Sequence, residues 1–180
     1  MSYVITVSNE KGGVAKTTTC LSLGAALVEA GNKVLLMDLD PQANLTLALG
    51  VEPGSAPVTS SHILIESASL NDARLKTEIP NLDLIASHAS IESAEQFLPV
   101  RTHYTLGIRR AIEAAGPLVY DYIFLDCPPF LGAISINALS AADLLIVPTQ
   151  AEYFSAYALR NIAVAMFKIW VASTRSLHPG

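Results

Sequence analysis

The sequence predicts an α/β fold, a doubly wound and mainly parallel β-sheet with helices on both faces. Short apolar runs typical of buried strands alternate with longer stretches typical of helices. Two of the strand-like runs, residues 34–38 and 122–126, end in an aspartate, as expected for parallel strands whose carboxyl ends border a ligand crevice. Right-handed crossovers between such strands leave few arrangements other than an open, doubly wound sheet.

The elements follow in chain order. A first strand is predicted from Tyr3 to Ser8, followed by a helix that ends at Ala30, where Gly31 suits a left-handed cap. Residues 50–61 are rich in Pro, Gly, Ser and Thr, which predicts a loop. Beyond it we expect strands over residues 82–85, 120–126 and 143–148, and helices over residues 91–97, 106–115, 133–141 and 155–171.

Composition is that of one domain covering residues 1–180. Of these residues, 51% are hydrophobic and only 15% charged, which suits a sheet covered on both faces. The start lacks a basic leader, and the helical apolar stretches are interrupted before they reach about 18 residues, so neither a signal peptide nor a membrane span is expected. The two cysteines, Cys20 and Cys127, have no ligand-like spacing, and we expect them to be reduced and buried.

A candidate phosphate-binding loop lies between the first strand and the first helix, from Ser8 to Thr17. Gly12 and Gly13 have no side chains, so successive N–H groups can turn inward around an anion at the positive end of the helix. Lys16 would reach the β- and γ-phosphates, and the Thr17 hydroxyl would ligate Mg²⁺. The sequence therefore predicts a nucleotide site in this loop.

The usual motif for such loops, G-x-x-x-x-G-K-[ST], is incomplete because Glu10 and Ala15 occupy its two glycine positions. Ala15 is the milder departure if its backbone is right-handed, since a methyl group is costly mainly where φ is positive. The alternative interpretation is an ordinary glycine turn with two solvated lysines. A lysine and a hydroxyl residue at a helix start directly after a strand favour the phosphate loop.

Asp38 and Asp126 end the two strand-like runs and supply the acids that such a site requires. Asp126 is predicted to hold Mg²⁺ through a water, because this ion keeps several waters and takes few direct protein ligands. Either aspartate alone could be a turn residue at a strand end. Together with the lysine loop, the pair favours a ligand site over two separate turn residues, with Thr17 and Asp126 at the metal.

Several segments carry a resemblance to a known family. They are KGGVAKTT (residues 11–18), DLDPQAN (38–44), DCPP (126–129), INAL (136–139) and AAD (141–143). This set resembles the ParA (Soj-like) family of partitioning ATPases, which have a deviant Walker A loop and belong to the MinD/ParA superfamily. The resemblance runs from the first strand to about Phe167 and implies a P-loop NTPase-like fold that is shortened at its C-terminus relative to the family.

The resemblance implies roles for the loop residues. Lys11 matches the family's second lysine, which reaches across a dimer with sandwiched ATP to phosphates held by the partner subunit. Lys16 matches the Walker A lysine, Thr17 the magnesium ligand and Thr18 a phosphate contact. The implied ATP-binding residues are Lys11, Gly12, Gly13, Val14, Ala15, Lys16, Thr17 and Thr18.

The resemblance also implies roles for the acids and for the prolines after them. Asp40 matches the aspartate implicated in hydrolysis, Asp38 lies in the outer shell of the metal, and Asp126 matches the Walker B acid. With Lys11 and Lys16, Asp40 completes the expected catalytic set. Since aspartate has a reference pKa of about 3.9, Asp40 is a poor base and is expected to orient the attacking water. Pro128 and Pro129 would form a switch that senses the γ-phosphate.

The function implied is a slow, dimeric ATPase switch that uses ATP and Mg²⁺ to position DNA or a protein cargo. Its implied partners are a ParB-like or other activating protein and non-specific DNA, and its implied location is the cytoplasm, with association with the nucleoid left open. ATP is favoured over GTP because Asn32-Lys33 is followed by Val34 and Leu35 and so does not form a guanine-specific Asn-Lys-x-Asp motif.

Charge gives little support to DNA binding. Eleven lysines and arginines face 16 acids, for a net charge of -5, and the basic residues outside the loop are scattered apart from Arg109-Arg110. A MinD-like membrane-cycling ATPase is an alternative that would need a basic amphipathic helix at the C-terminus. The helix over residues 155–171 is more simply a core helix and the tail lacks the charge, so we do not expect membrane binding. A third alternative is a non-hydrolysing, nucleotide-dependent interaction protein.

Overall fold

The structure is a computed structural model that describes residues 2–151 and 153–176. A six-stranded sheet forms its centre. The strands are β1 (Tyr3–Val7), β2 (Val34–Asp38), β3 (Arg74–Lys76), β4 (Leu82–Ile85), β5 (Tyr122–Asp126) and β6 (Leu144–Ile146). Their order is β3-β4-β2-β5-β1-β6, and every pairing is parallel except that of β3 with β4. The predicted mainly parallel sheet is confirmed.

Helices cover both faces of this sheet. They are α1 (Lys16–Glu29), α2 (Asn44–Ala48), α3 (Ser60–Glu66), α4 (Leu70–Ala73), α5 (Ala94–Phe97), α6 (Gly107–Ala114), α7 (Ala133–Ala141) and α8 (Tyr153–Ser176). Short 3₁₀ turns span Ala89–Ser93, Leu98–Val100 and Tyr104–Leu106. None of the helices within the described ranges has the length and hydropathy needed to cross a membrane.

Two hydrophobic cores lie on opposite sides of the sheet because successive strand residues point to opposite faces. Leu35 and Ile123 join one core with residues of α3, α5, α6 and α7. Leu36 and Phe124 join the other core with residues of α1 and α2. Strands buried on both faces explain why β2 and β5 read as continuous apolar runs. Cys20 and Cys127 are free and buried, as predicted.

The end of α1 follows directly from its sequence. Gly31 adopts a φ of 90°, and its N–H donates to the carbonyl of Val28 at 2.9 Å. The N–H of Asn32 donates to the carbonyl of Leu27 at 3.0 Å, which completes a left-handed glycine cap. The predicted cap at Gly31 is therefore confirmed, and the chain turns directly into β2.

Several elements differ from the sequence prediction. The predicted loop over residues 50–61 ends earlier, since α3 begins at Ser60, and α2, α4 and β3 were not expected. Residues 91–97 form a 3₁₀ turn followed by the short helix α5 where one helix was predicted. By contrast, β2, β4 and α7 have the predicted bounds.

Candidate functional site

The loop between β1 and α1 adopts a left-handed backbone at two positions. Gly13 has a φ of 73°, and Ala15, the residue that caps α1, has a φ of 65° and a ψ of 32°. The expectation that Ala15 is right-handed is therefore wrong. This conformation costs roughly 1 kcal/mol or more for a residue with a Cβ, so the surrounding loop must hold Ala15 there. Backbone strain of this kind is concentrated at functional sites.

The loop leaves main-chain donors available to a ligand. The N–H groups of Gly12, Gly13 and Val14 donate no hydrogen bond to any residue in the described ranges. A Cβ added at Gly12 or Gly13 would meet no atom within 4 Å. Space beside unpaired N–H groups is the arrangement expected where a phosphate approaches a backbone closely.

Lys16 lies inside this loop. Its Nζ donates to the carbonyl of Lys11 at 3.1 Å, and the residue is only 7% exposed. Burial lowers the pKa of Lys16, while the carboxylates of Asp126 and Asp40 oppose that effect. A buried ammonium group directed across a loop is suited to neutralising an anion held by the same loop.

Lys11 points to the outer side of the loop, where the chain after β6 packs. Its Nζ donates to Oε1 of Gln150 at 3.1 Å. The side chain of Asn9 donates to the carbonyl of Pro148 at 2.8 Å, and Asn161 of α8 donates to the Glu10 carboxylate at 2.8 Å. Glu10, which replaces the first motif glycine, therefore ties the loop to α8. None of these three contacts could be read from the sequence.

Asp126 carries the clearest functional signal. Both of its carboxylate oxygens are buried, and no residue in the described part of the chain donates a hydrogen bond to them. Burial raises the pKa of Asp126 to about 7, and the carboxylates of Asp38 and Asp40 add to the rise, while nearby Thr17 and Lys16 oppose it. An unpaired buried carboxylate is costly, so a cation or a hydrated metal is the natural partner for this group.

Asp38 lies directly beside Asp126, because these two residues are register partners on β2 and β5. Unlike Asp126, it is fully engaged by the protein. Its Oδ1 accepts from the N–H of Asp40 at 3.1 Å, and its Oδ2 accepts from Thr46 Oγ1 at 2.7 Å and from the Thr46 N–H at 2.9 Å. Burial raises the pKa of Asp38 to about 6, although Thr46 donates to it. Asp38 therefore suits the outer shell of a metal site.

Thr46 was not singled out from the sequence. Its hydroxyl also accepts from the N–H of Ser87 at 3.0 Å, so it joins α2 to β2 and to the end of β4. Asp40 is 8% exposed, and its Oδ1 accepts from the N–H of Gln42 at 2.9 Å. A turn through Ala43, which has a φ of 52°, leads from Asp40 into α2. The three predicted acids thus meet at one edge of the sheet.

The start of α7 lies beyond the carboxyl end of β5. It is capped by a side chain that the sequence did not indicate. Glu95 accepts from the N–H of Ala133 at 2.6 Å and from that of Ile134 at 2.9 Å. A Cβ at Gly132 would clash with the Glu95 carboxylate, so a larger residue there would displace Glu95 from these two N–H groups. Pro128 and Pro129 connect β5 to this capped start, with Pro128 buried and Pro129 exposed.

The described residues contain no cluster of three or more His, Cys, Asp and Glu side chains that could bind a metal on its own. Such a cluster is not needed for Mg²⁺, which is held by one or two carboxylates, waters and substrate phosphates. The unpaired oxygens of Asp126 near the Thr17 hydroxyl fit this mode of binding.

The chain is similar to known proteins over nearly its whole length. The family model described as "AAA domain" matches residues 2–177. The sporulation initiation inhibitor protein Soj of Bacillus subtilis is 40% identical over 162 residues, which are 90% of this chain and 64% of Soj. The chromosome partitioning protein ParA of Caulobacter vibrioides is also 40% identical, over 88% of this chain and 60% of ParA.

A solved structure shows the same architecture. Cobyrinic acid a,c-diamide synthase of Mycobacterium smegmatis, with a bound ATP analogue and magnesium, has a TM-score of 0.87 and 36% identity, covering 94% of this chain and 68% of that protein. The matched region covers less than two thirds of the length of Soj and of ParA. The chain belongs to the AAA domain family and, within it, to the ParA (Soj-like) group with a deviant Walker A loop.

Proposed function

We propose that this chain binds ATP with Mg²⁺ and hydrolyses the ATP as a nucleotide-dependent switch. The proposal rests on the buried carboxylate of Asp126, which lies near Lys16 and has no hydrogen-bond partner among the described residues. The phosphate loop beside it has main-chain N–H groups that bond to none of those residues either. The solved relative with a bound ATP analogue and magnesium supports the choice of ligand.

Binding follows from the loop. The N–H groups from Gly12 onwards and the N-terminal end of α1 would hold the phosphates, and Lys16 would neutralise the β- and γ-phosphates. Thr17 and Asp126 would hold Mg²⁺, with Asp38 in the outer shell. When bound, the metal supplies charge neutralisation to the transferring phosphoryl group.

Hydrolysis requires a positioned water more than a strong base. Asp40 lies on the turn after β2, close enough to Lys16 to oppose the lowering of its pKa. We assign Asp40 to orienting the attacking water, and Lys16 to stabilising the charge that develops on the phosphoryl oxygens. Pro128 and Pro129 would transmit the nucleotide state from Asp126 to α7.

The switch would act as a dimer with sandwiched ATP, in which Lys11 reaches the nucleotide of the partner subunit. The name of the Caulobacter relative, a chromosome partitioning protein, supports a role in positioning DNA. As further parts of the proposal, the switch would act with a ParB-like activating protein, bind non-specific DNA and work in the cytoplasm. A protein cargo fits the same switch. The solved relative carries the name of a synthase, so a similar nucleotide fold serves different downstream reactions.

Nucleotide binding is tested by calorimetry with Mg²⁺-ATP, and hydrolysis by phosphate release. We expect Lys16→Ala to abolish both. Lys33→Ala, which changes an exposed lysine outside the loop, is the matched control and should leave both intact. Wild-type protein that gives no binding heat, or equal effects of the two substitutions, would refute the proposed site.

A substitution of Asp40 distinguishes ATP hydrolysis from ATP binding. Asp40→Asn should retain ATP and lower phosphate release by a factor on the order of 10² or more. If the wild-type protein binds ATP but releases no phosphate, the non-hydrolysing interaction protein becomes the better description.

Assembly and partners need separate measurements. Light scattering with a non-hydrolysable ATP analogue should show a dimer in the wild type and a monomer in Lys11→Ala. A mobility shift of random duplex DNA should require ATP and weaken steeply with salt. Flotation with anionic liposomes would instead support the membrane-cycling alternative.

A further inference from the structure

We propose that a cavity between α3, α4 and α6 binds a small organic anion with an apolar body. This α6 cavity has a volume of about 490 Å³ and shares no lining residue with the phosphate loop. Its apolar lining includes Leu64, Leu98 and Ala111, and its polar lining includes Arg101, His103 and Arg110. This open cavity has a size typical of small-molecule sites, and it combines apolar and polar lining.

The walls of the cavity are held together by hydrogen bonds, so it does not depend on a ligand for its shape. Arg101 donates to the carbonyl of Leu64 at 3.4 Å, which links the two sides near α3. Asn71 of α4 donates to the carbonyl of Ala115 at 3.2 Å at the end of α6. A site formed in advance loses less entropy when it binds a ligand.

The charged side chains that line the cavity are positive. Arg101 and Arg110 line it, and none of the described lining residues is an aspartate or glutamate. This is notable in a chain whose net charge is -5. Guanidinium groups recognise carboxylates, sulfonates and phosphates through paired N–H donors. The lining is therefore complementary to an anion.

Arg110 is the group most available to such an anion. Within the described ranges its guanidinium makes no hydrogen bond, ion pair or ring contact. Its neighbour Arg109 instead pairs with Glu113 at 3.1 Å and does not line the cavity. Both arginines are exposed on α6, but Arg109 is held in an ion pair, whereas Arg110 lines the cavity and its hydrated guanidinium is available to a bound anion.

The backbone is left-handed at two positions in the cavity wall. Ser67 and His103, which line it, have φ values of 58° and 56°. Ser67 is the left-handed C-terminal cap of α3, and histidine adopts this region more readily than most residues. These turns bring the end of α3 and the segment before α6 to the edges of the cavity.

The occupant must satisfy both parts of the lining. An apolar ring or short alkyl chain would cover Leu64, Leu98 and Ala111, and an acidic group would lie against Arg110 and Arg101. A neutral apolar molecule would leave the exposed guanidinium of Arg110 hydrated and would gain no charge-assisted hydrogen bond from it. The recognised class is therefore an amphipathic carboxylate, sulfonate or phosphate monoester.

The test uses naphthalene-1-sulfonate as the probe, titrated into the full chain and followed by amide chemical shifts in NMR. We expect saturable binding with a Kd on the order of 1 mM or below. Shifts should appear at Gly107 and Ala111, which line the cavity. The neutral analogue 1-naphthol should bind at least about tenfold more weakly, since it lacks the charge-assisted hydrogen bond.

Three variants distinguish specific binding of the probe in the cavity from non-specific binding to the protein surface. Arg110→Gln should weaken probe binding by about tenfold, whereas the adjacent Arg109→Gln should leave it unchanged. Ala114→Phe, which adds bulk to an exposed lining residue, should abolish it. Mg²⁺-ATP should not compete with the probe.

Each contrary outcome overturns the proposal. These outcomes are equal effects of the two arginine substitutions, equal binding of 1-naphthol, shifts that fall on the phosphate loop, or displacement of the probe by Mg²⁺-ATP. Probe binding that weakens as the protein concentration rises would show that a second copy of the chain fills the cavity, and this too would overturn it.

Discussion

Replacing Asp126 by asparagine should stabilise the nucleotide-free protein above neutral pH while removing its response to Mg²⁺-ATP. The reason is that the Asp126 carboxylate is buried without a hydrogen-bond partner in the described part of the chain. An amide has almost the same shape as a protonated carboxyl but never acquires the charge. The substitution therefore removes the cost of ionising this group in the folded state.

The size of the effect follows from the pKa. In the folded protein the pKa of Asp126 is about 7, against an ordinary value of 3.8. Between these two values the folded state holds a proton that the unfolded state has released, so the stability of the wild type falls as pH rises. Each pH unit in this window costs roughly 1.4 kcal/mol. Between about pH 5 and pH 8, Asp126→Asn should therefore gain roughly 3 kcal/mol relative to wild type.

The assay is urea denaturation in EDTA at a series of pH values, with Asp72→Asn as the matched control. Asp72 is an exposed aspartate, and its substitution should leave the pH dependence of the wild type unchanged. A second measurement adds Mg²⁺-ATP. At a hundredfold excess over Kd the ligand stabilises a protein by about 2.7 kcal/mol, and we expect this gain in the wild type but not in Asp126→Asn.

A stability difference between Asp126→Asn and wild type that is the same at pH 5 and at pH 8 would show that Asp126 does not ionise at a raised pKa in the folded protein. The reasoning also fails if Asp72→Asn shows the same pH-dependent gain, because the effect would then reflect overall charge and not burial. The stability result is independent of the proposed function. A gain in EDTA without any response of the wild type to Mg²⁺-ATP would leave the electrostatics correct and the ligand wrong.

Three further substitutions test local geometry, each by its free energy of unfolding in urea. Ala15→Gly should stabilise the chain by about 1 kcal/mol, because it relieves a left-handed backbone; a loss would show that Ala15 is not strained. Gly132→Ala should cost about 2–3 kcal/mol by displacing Glu95 from its two N–H donors, and combining it with Glu95→Ala should add little. Thr46→Val should cost about 2 kcal/mol, and more at pH 8 than at pH 5, since it removes a donor from the Asp38 carboxylate; an equal loss at both pH values would contradict this.

The central strands of the sheet could be predicted from the sequence, because a strand that is buried on both faces is a continuous apolar run. Val34–Asp38 and Leu82–Ile85 were predicted with the bounds that the structure has. The sequence was not sufficient for the edge strand Arg74–Lys76, which is short and polar. That strand forms through antiparallel pairing with β4 and through the 2.9 Å contact of Lys76 with Asp83, both of which are tertiary interactions.

Helix α3 was missed for a similar reason. It begins within a stretch rich in turn-forming residues, and His62, not Glu or Gln, completes its cap by accepting from the N–H of Thr59 at 3.1 Å. At the site, residue types identified the two lysines and the acids. They could not show that Asp38 is already hydrogen-bonded while Asp126 has no such partner among the residues that the structure describes. The bonds to Asp38 come largely from Thr46, eight residues away.

The capping of α7 by Glu95 has a consequence for where a triphosphate can dock. Helices α1 and α7 follow neighbouring strands β1 and β5, and each presents a positive helix end near the same rim of the sheet. At α7 an internal carboxylate already takes the first N–H groups. A polyphosphate at this rim would find the first N–H groups of α7 already bonded to Glu95, whereas those before α1 bond to no described residue. This difference favours docking of the phosphates at α1.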